Sequence, residues 1–440
     1  MKLFTKSIVA LAQLGFIAVA AAGDTWTLDR ALDRVIEDAP DARVATLRLE
    51  KAQAQLAEAK AQWKPSLTAE SGYSATDNPT QAFMFLLNQR QLSFGGDFND
   101  PSVTDNWGSE IRIEYPLYLG GARKANQLAA SAGVEASGHD LKAVRRQLQL
   151  EVARSYFQIV RAREVVTAAE SALTSQRSNL ELARELLEGG KALQTAVLDL
   201  ETQVAQAEAN LAAAENQRDI ATAMLKSLVG LDGDTPFVVS SSAASIDWPG
   251  NVIHTPGRAE AQALRVRSEQ ADALIEAARA GRRPKIAAFA SARHDEGFAE
   301  PDGGSSWFAG VSVSLNIFDG GTSAAKIAQA EAEKAMVEEQ RRKQDQQIDL
   351  QVKTAQLNLD TARKRISFAK KALESAEESL GLTRERFKEG LALSTQLIDA
   401  ESALTGTRVQ LSGARALEQM ALAELRHALG LPIRDTSNSK

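Results

Sequence analysis

The chain has 440 residues, 57 acidic against 51 basic, four histidines and no cysteine, for a net charge of −6. That balance excludes a nucleic-acid partner held by bulk positive charge. The missing cysteines exclude disulfides, thiolate metal sites, cysteine nucleophiles and a lipidated-cysteine anchor. Alanine supplies 76 residues and aromatics only 5%, a composition that packs helices closely and fills large globular cores poorly.

Residues 1–22 open with Lys2 and Lys6, run through an apolar stretch from Ile8 to Val19, and end in Ala18-Val19-Ala20-Ala21-Ala22. This charged, apolar, small-residue order reads as a secretory signal peptide. A membrane anchor would need ~20 apolar residues, more than this stretch holds. No later segment offers ~18 consecutive apolar residues, so the rest of the chain can cross a membrane only as β-strands.

A short helix is expected over Ala42–Trp63, ended by Pro65. Ser66–Tyr73 reads as a weak strand. In the next segment Trp107, Ile111, Ile113, Tyr115 and Leu117 alternate with Glu110, Arg112 and Glu114, a period of two with one apolar face. This strand, tilted by about 40°, rises roughly 20 to 28 Å, close to the ~25 Å apolar band of outer-membrane barrels. The alternative is a strand of a soluble sheet, but no second apolar sheet or helix face is at hand to cover it.

All eleven prolines lie outside 117–235 and 302–431, so nothing forces a break in either window. In the first, Leu148, Val152, Ser155, Ile159, Ala162, Val166, Ala169, Leu173, Gln176, Leu180, Ala183 and Leu187 recur at steps of four and three. A sustained period of 3.5 is a coiled-coil signal. A continuous helix over about 122–188 would be about 100 Å long at 1.5 Å per residue. Glu188-Gly189-Gly190 ends it, because glycine accepts the left-handed conformation that closes a helix. A returning helix follows over about Thr195–Leu228.

Residues 232–256 form a linker with Pro236, Pro249, Pro256 and the run Ser240-Ser241-Ser242. Everything then repeats. Residues 120–231 laid on 320–431 without a gap give 31 identities in 112 positions, among them Gly120/Gly320, Arg184/Arg384, Gly190/Gly390, Asp199/Asp399 and Glu201/Glu401. Matches at turn glycines and charges point to a duplicated unit rather than to shared alanine content. The second unit is expected to hold a short helix at about Arg258–Gly281, a weak strand at Lys285–Ala292 and a strand at Trp307–Phe318. A helix seam from Ile348 to Phe387, a turn at Glu389-Gly390 and a returning helix over about Thr395–Ala428 complete it. Arg218 and Glu418 interrupt both returning seams at the same place with opposite charges. They read either as an ion pair between alternating hairpins or as solvated faces.

The domain organisation expected is therefore a signal peptide (1–22), a first repeat (23–231; strands about 66–118, hairpin 120–229), the linker, a second repeat (257–431; strands about 285–318, hairpin 320–429) and a tail (432–440). The fold class is mainly α with a membrane β part. One chain supplies four strands, whereas transmembrane barrels need ~8 or more, so several copies must close the barrel.

These residues resemble the outer membrane factor family, the TolC-like exit ducts of efflux and secretion systems. The resemblance is carried by Leu28–Ala31 leading to Pro40, the helix ending at Pro65, Tyr115-Pro116-Leu117 before Gly120-Gly121, and Gly390-Leu391 to Thr395-Gln396-Leu397-Ile398-Asp399-Ala400-Glu401, in that order and duplicated. It implies a homotrimer whose duplicated long helical hairpins form a trimeric α-barrel tunnel, continued into a 12-stranded transmembrane β-barrel. It also implies a periplasmic adaptor protein and an inner-membrane pump of RND or ABC type as partners. The location it implies is the outer membrane with a large periplasmic part.

Family members ring the periplasmic mouth with acidic residues, often as Asp-x-x-Asp. Here Asp399 stands at the second position and Gln396 at the first, with Ala196 and Asp199 in the other half, so each half departs from the doubled pattern and keeps one acidic position. Three Asp399 carboxylates near an axis would concentrate cations; an aspartate near a helix N-terminus also favours the helix dipole without any gate. By the same resemblance Gly190, Lys191, Thr195, Gly390, Leu391 and Thr395 form adaptor-docking tips, and Trp107, Tyr115, Tyr118, Trp307 and Phe318 sit at the interface with outer-membrane lipid.

As an enzyme the chain is poor. His139, His254, His294 and His427 are scattered, three of them expected on exposed surfaces, and Gly189-Gly190-Lys191 lacks P-loop spacing. No catalytic residue, metal site, cofactor or nucleic-acid partner is expected. The function expected is a passive conduit to the exterior, in efflux or type I secretion; the competing class is a periplasmic adaptor or a structural coiled coil.

Overall fold

The computed structural model describes residues 25–93, 95, 97, 99–232, 235–240, 245–250, 257–298 and 303–434. The leader 1–22, much of the linker, His254 and the end of the tail lie outside the described residues. In chain order the elements are β1 (Thr25–Trp26), α1 (Leu28–Asp38), α2 (Pro40–Ala61), β2 (Ser66–Thr76), α3 (Pro79–Asn88), β3 (Thr104–Leu119), α4 (Ala122–Glu188), α5 (Gln194–Leu228), β4 (Val238–Val239), α6 (Ala259–Arg279), β5 (Lys285–Glu296), β6 (Gly303–Ser314), α7 (Thr322–Lys388) and α8 (Ser394–Ala428). Among the described residues no helix is long and apolar enough to cross a membrane.

Two compact units result, one from the residues up to 40, 146–252 and 353 onward, the other from 41–145 and 253–352. The helices α4 and α7, 67 residues each, contribute to both.

In the first unit the heptad seams meet. Leu180 and Ala183 of α4, Val197 and Leu200 of α5, Leu380 and Phe387 of α7, and Leu397 and Leu404 of α8 form one buried cluster. The step-of-four-and-three spacing puts these side chains on one stripe of each helix, and burying that stripe holds helices that propensity alone would leave marginal. Truncating a buried leucine such as Leu397 to alanine costs about 2–5 kcal/mol. At the other end, α1 buries Leu28, Ala31, Leu32 and Val35. Its start is capped by Thr27, whose hydroxyl accepts from the Arg30 amide at 3.3 Å.

The second unit holds a four-stranded antiparallel sheet in the order β2-β3-β5-β6. Register separates its faces. Leu67, Ile113, Ala290 and Ala309 lie on one line, and Tyr73, Trp107, Ile111, Ala292, Trp307, Val311 and Val313 share their face. The opposite face carries Thr68, Glu70, Glu110, Arg112, Glu114, Ser291, Arg293 and Ser306. The apolar face is uncovered: Trp307 is 81% exposed and Leu67 71%. The edges of β2 and β6 have no partner strand among the described residues.

Two expectations change here. The last strand ends at Ser314 rather than at 318. Ser314 pairs with Lys285, the first residue of β5, and Pro284 before it has no amide to extend the ladder. Phe318 is therefore an exposed residue of the connection to α7, not a strand residue. The histidines are also less exposed than expected: His427 is buried at the end of α8 and His139 is half-buried, with only His294 exposed among those described.

The stretch between β2 and β3 contains a helix. Asn78 caps α3, its side-chain oxygen accepting from the amides of Thr80 at 3.1 Å and Gln81 at 3.3 Å, and Pro79 occupies the first helical position, where no amide bond is lost.

Candidate functional site

Each hairpin turns at a glycine. Gly190 (φ +69°) and Gly390 (φ +74°) take the left-handed conformation. Around them the Gly190 amide donates to Leu187 O and the Lys191 amide to Leu186 O, and the Gly390 and Leu391 amides donate to Phe387 O and Arg386 O. This bond pair closes a helix in the Schellman manner and satisfies carbonyls that would otherwise be orphaned. The two turns are neighbours: a side chain at Gly390 would lie 3.6 Å from Lys191 O.

Gly190, Lys191, Thr195, Gly390, Leu391 and Thr395 are all exposed at these turns. So are Leu193, Leu391 and Leu393, each about two-thirds or more accessible. Three large apolar side chains are thus in water on two adjacent turns.

The acidic positions differ from one another. Asp199 is exposed and accepts a hydrogen bond from the Ser394 hydroxyl at 3.0 Å, which ties α5 to the start of α8. The Gln396 side-chain oxygen accepts from the Leu393 amide at 3.1 Å, which satisfies an amide at the start of α8. Asp399 is exposed and makes no hydrogen bond or ion pair among the described residues.

Just behind lies a buried polar cluster that residue spacing did not single out as a site. Glu401, 3% exposed, accepts from Arg384 at 2.8 Å, from Asn179 at 3.1 Å and from the Ser175 hydroxyl. Arg384 also donates to Ser175 at 2.6 Å. Residues of α4, α7 and α8 thus share one carboxylate. The sequence held a signal for it, because the arginine and glutamate stand 17 positions apart in both repeats. In the first, Arg184 meets Glu201 at 2.9 Å on the surface. Within the chain Arg218 pairs with Asp219 at 2.9 Å and Glu418 with Arg363 at 3.3 Å.

On the sheet, Trp107 and Tyr115 of β3 and Trp307 of β6 lie on the apolar face. Tyr118 follows the β3 irregularity at Pro116 and pairs with Ile286. The polar face carries a charge ladder, Arg112 to Glu110 at 3.0 Å and Arg293 to Asp295 at 2.9 Å. Where β3 leaves the sheet, Arg123 donates to Leu117 O at 2.7 Å and its guanidinium stacks 4.4 Å from the Trp63 ring centre.

A two-faced sheet with two open edges beside long helical hairpins has close counterparts. The family model described as outer membrane efflux protein matches residues 31–231 and 257–431. The chain belongs to the outer membrane efflux protein family. Its structure is similar to that of the outer membrane protein VceC from Vibrio cholerae, at 20% identity and a TM-score of 0.77, with 92% of this chain and 97% of that one covered. It is similar as well to the Campylobacter jejuni CmeC outer membrane channel (16% identity, TM-score 0.78, 94% and 87% covered) and to the open state of the Neisseria gonorrhoeae MtrE outer membrane channel (22%, 0.73, 92% and 89%). Curated protein sequences return no match. As a member of this family the chain is an outer-membrane exit duct of a tripartite efflux system, with a large periplasmic part, and the family is one of ducts rather than of enzymes.

Proposed function

We propose that three copies of this chain assemble side by side, β6 of one pairing with β2 of the next, to make a twelve-stranded barrel continued by a helical tunnel. The observation that carries the reading is the sheet: one face apolar and uncovered, the other charged, both edges unpaired. Unpaired strand edges are untenable in lipid, and closure by copies removes them. The apolar face with Trp107, Tyr115, Tyr118 and Trp307 then meets lipid, with Phe318 just beyond the strand end, and the charged ladder lines water.

In this assembly the turns at Gly190, Lys191, Thr195, Gly390, Leu391 and Thr395 dock the periplasmic adaptor, with Leu193 and Leu393 adding apolar contact area. An inner-membrane pump supplies the energy and the choice of cargo, since a wide wet tunnel makes few specific contacts. The duct has no catalytic step. Asp399, exposed and unpaired, acts as the acidic ring of the periplasmic mouth; Asp199 and Gln396, both engaged in tying or capping α8, hold its position.

Single-channel recording in planar bilayers tests the ring. The wild-type duct should prefer cations, and Asp399→Ala should lower that preference with little change in conductance. Unchanged selectivity would remove Asp399 from the gate.

A further inference from the structure

The helix α3 is fastened to the sheet by buried polar groups that the duct reading does not use. Gln89, 3% exposed, follows the end of α3. Its side-chain amide donates to Asp105 O at 2.7 Å and to the Asn106 side-chain oxygen at 2.8 Å. Asn106, 2% exposed, donates in turn to Asp295 at 2.7 Å, and Asp295, 1% exposed, accepts from Arg293 at 2.9 Å. A fully satisfied buried network of this kind fixes one arrangement, because breaking any link strands a buried polar group.

Register says which side of the sheet is covered. Arg293, Asp295, Gly304 and Ser306 share a line of the polar face, and Asn106 shares that face with Gly108 and Glu110. At Gly304 an added Cβ would run into the Asn88 carbonyl oxygen, so the chain leaving α3 lies directly on that face and only glycine admits it. Arg90 next to it is held at φ +59° and donates to Ser305 O at 2.8 Å. The helix touches both β3 and β6, so it reaches across β5. It does so at the sheet end opposite to the one where β3 runs into α4 and α6 runs into β5.

We infer that α3 is an inner collar of the duct's outward mouth, permanently docked on the lumen face, and that its apolar lip narrows the exit path. The inference rests on the closed-barrel reading, which makes the polar face the lumen face. The lip is formed by Met84 and Leu87, one helical turn apart, 46% and 47% exposed although apolar. Three copies would place three such lips around one opening. A constriction of apolar side chains resists water and ions more than it resists cargo with apolar surface.

The native chain has no cysteine, so a single introduced thiol reports its own position. Met84→Cys, and Leu87→Cys as a second variant, would be recorded in planar bilayers while a charged methanethiosulfonate reagent is added, with mass spectrometry verifying modification of each subunit. Conductance should fall in up to three discrete steps for both variants, and the wild type should not respond. Full modification with unchanged conductance, or thiols that the reagent does not reach, would overturn the collar. A wild type that forms no pore would overturn the closed-barrel reading first, and the collar with it.

Discussion

Arg384 and Glu401 meet at 2.8 Å with the carboxylate buried to 3% exposure, whereas the equivalent pair of the first repeat, Arg184 and Glu201, meets at 2.9 Å in water. Duplication therefore gave the same two residues two different energetic roles. The buried carboxylate depends on its partners, because an ion taken out of water is costly unless paired and hydrogen-bonded.

Arg384→Ala leaves Glu401 with only Asn179 and Ser175, and should destabilise the hairpin end by about 3–5 kcal/mol. Arg184→Ala removes a screened surface pair and should change little. Thermal midpoints of the two variants in detergent check the contrast; equal shifts would mean that burial does not distinguish the pairs.

Tyr156 in α4 is 1% exposed and its hydroxyl has no hydrogen-bond partner among the described residues. Burial pushes its phenol above the ordinary range, partly offset by Arg163. Deleting an unsatisfied buried hydroxyl removes a desolvation cost, so Tyr156→Phe should leave stability unchanged or raise it by up to ~1 kcal/mol. A lowered melting midpoint would show that the hydroxyl has a partner in the assembled protein.

Asp319 caps the start of α7. Hydrogen bonds from Ser323, followed by the Gly321 amide, hold its carboxyl below the ordinary aspartate range. A carboxylate depressed in the folded state stabilises above its unfolded pKa of about 3.9 and loses that contribution as pH falls through the folded value. Between pH 5 and pH 3, roughly the window set by that reference value, the wild type should lose stability more steeply than Asp319→Asn, read as the change in melting midpoint. Parallel curves would remove the cap from the account.

Much of the helical architecture was legible because its causes are local. Proline-free windows, a 3.5-residue seam and glycine at the turn are each visible in a single stretch of chain. The strands were legible from alternation, but the end of β6 was not, because it is set by Pro284 just before the partner strand. The helix α3 left a local trace, Asn78 followed by Pro79, yet the continuous apolar run Phe83–Leu87 carries no helical period to support it. Glu401 and Asp295 look like surface acids in sequence. Their burial is decided by Asn179 and Asn106, which lie 222 and 189 residues away.

In the proposed assembly no single chain completes the barrel. Native mass spectrometry of the detergent-extracted protein reads the number of chains outright. The main species should be an assembly of three chains that survives dilution below the concentration where loose complexes dissociate; a detergent-bound monomer as the main species would rule out closure by copies.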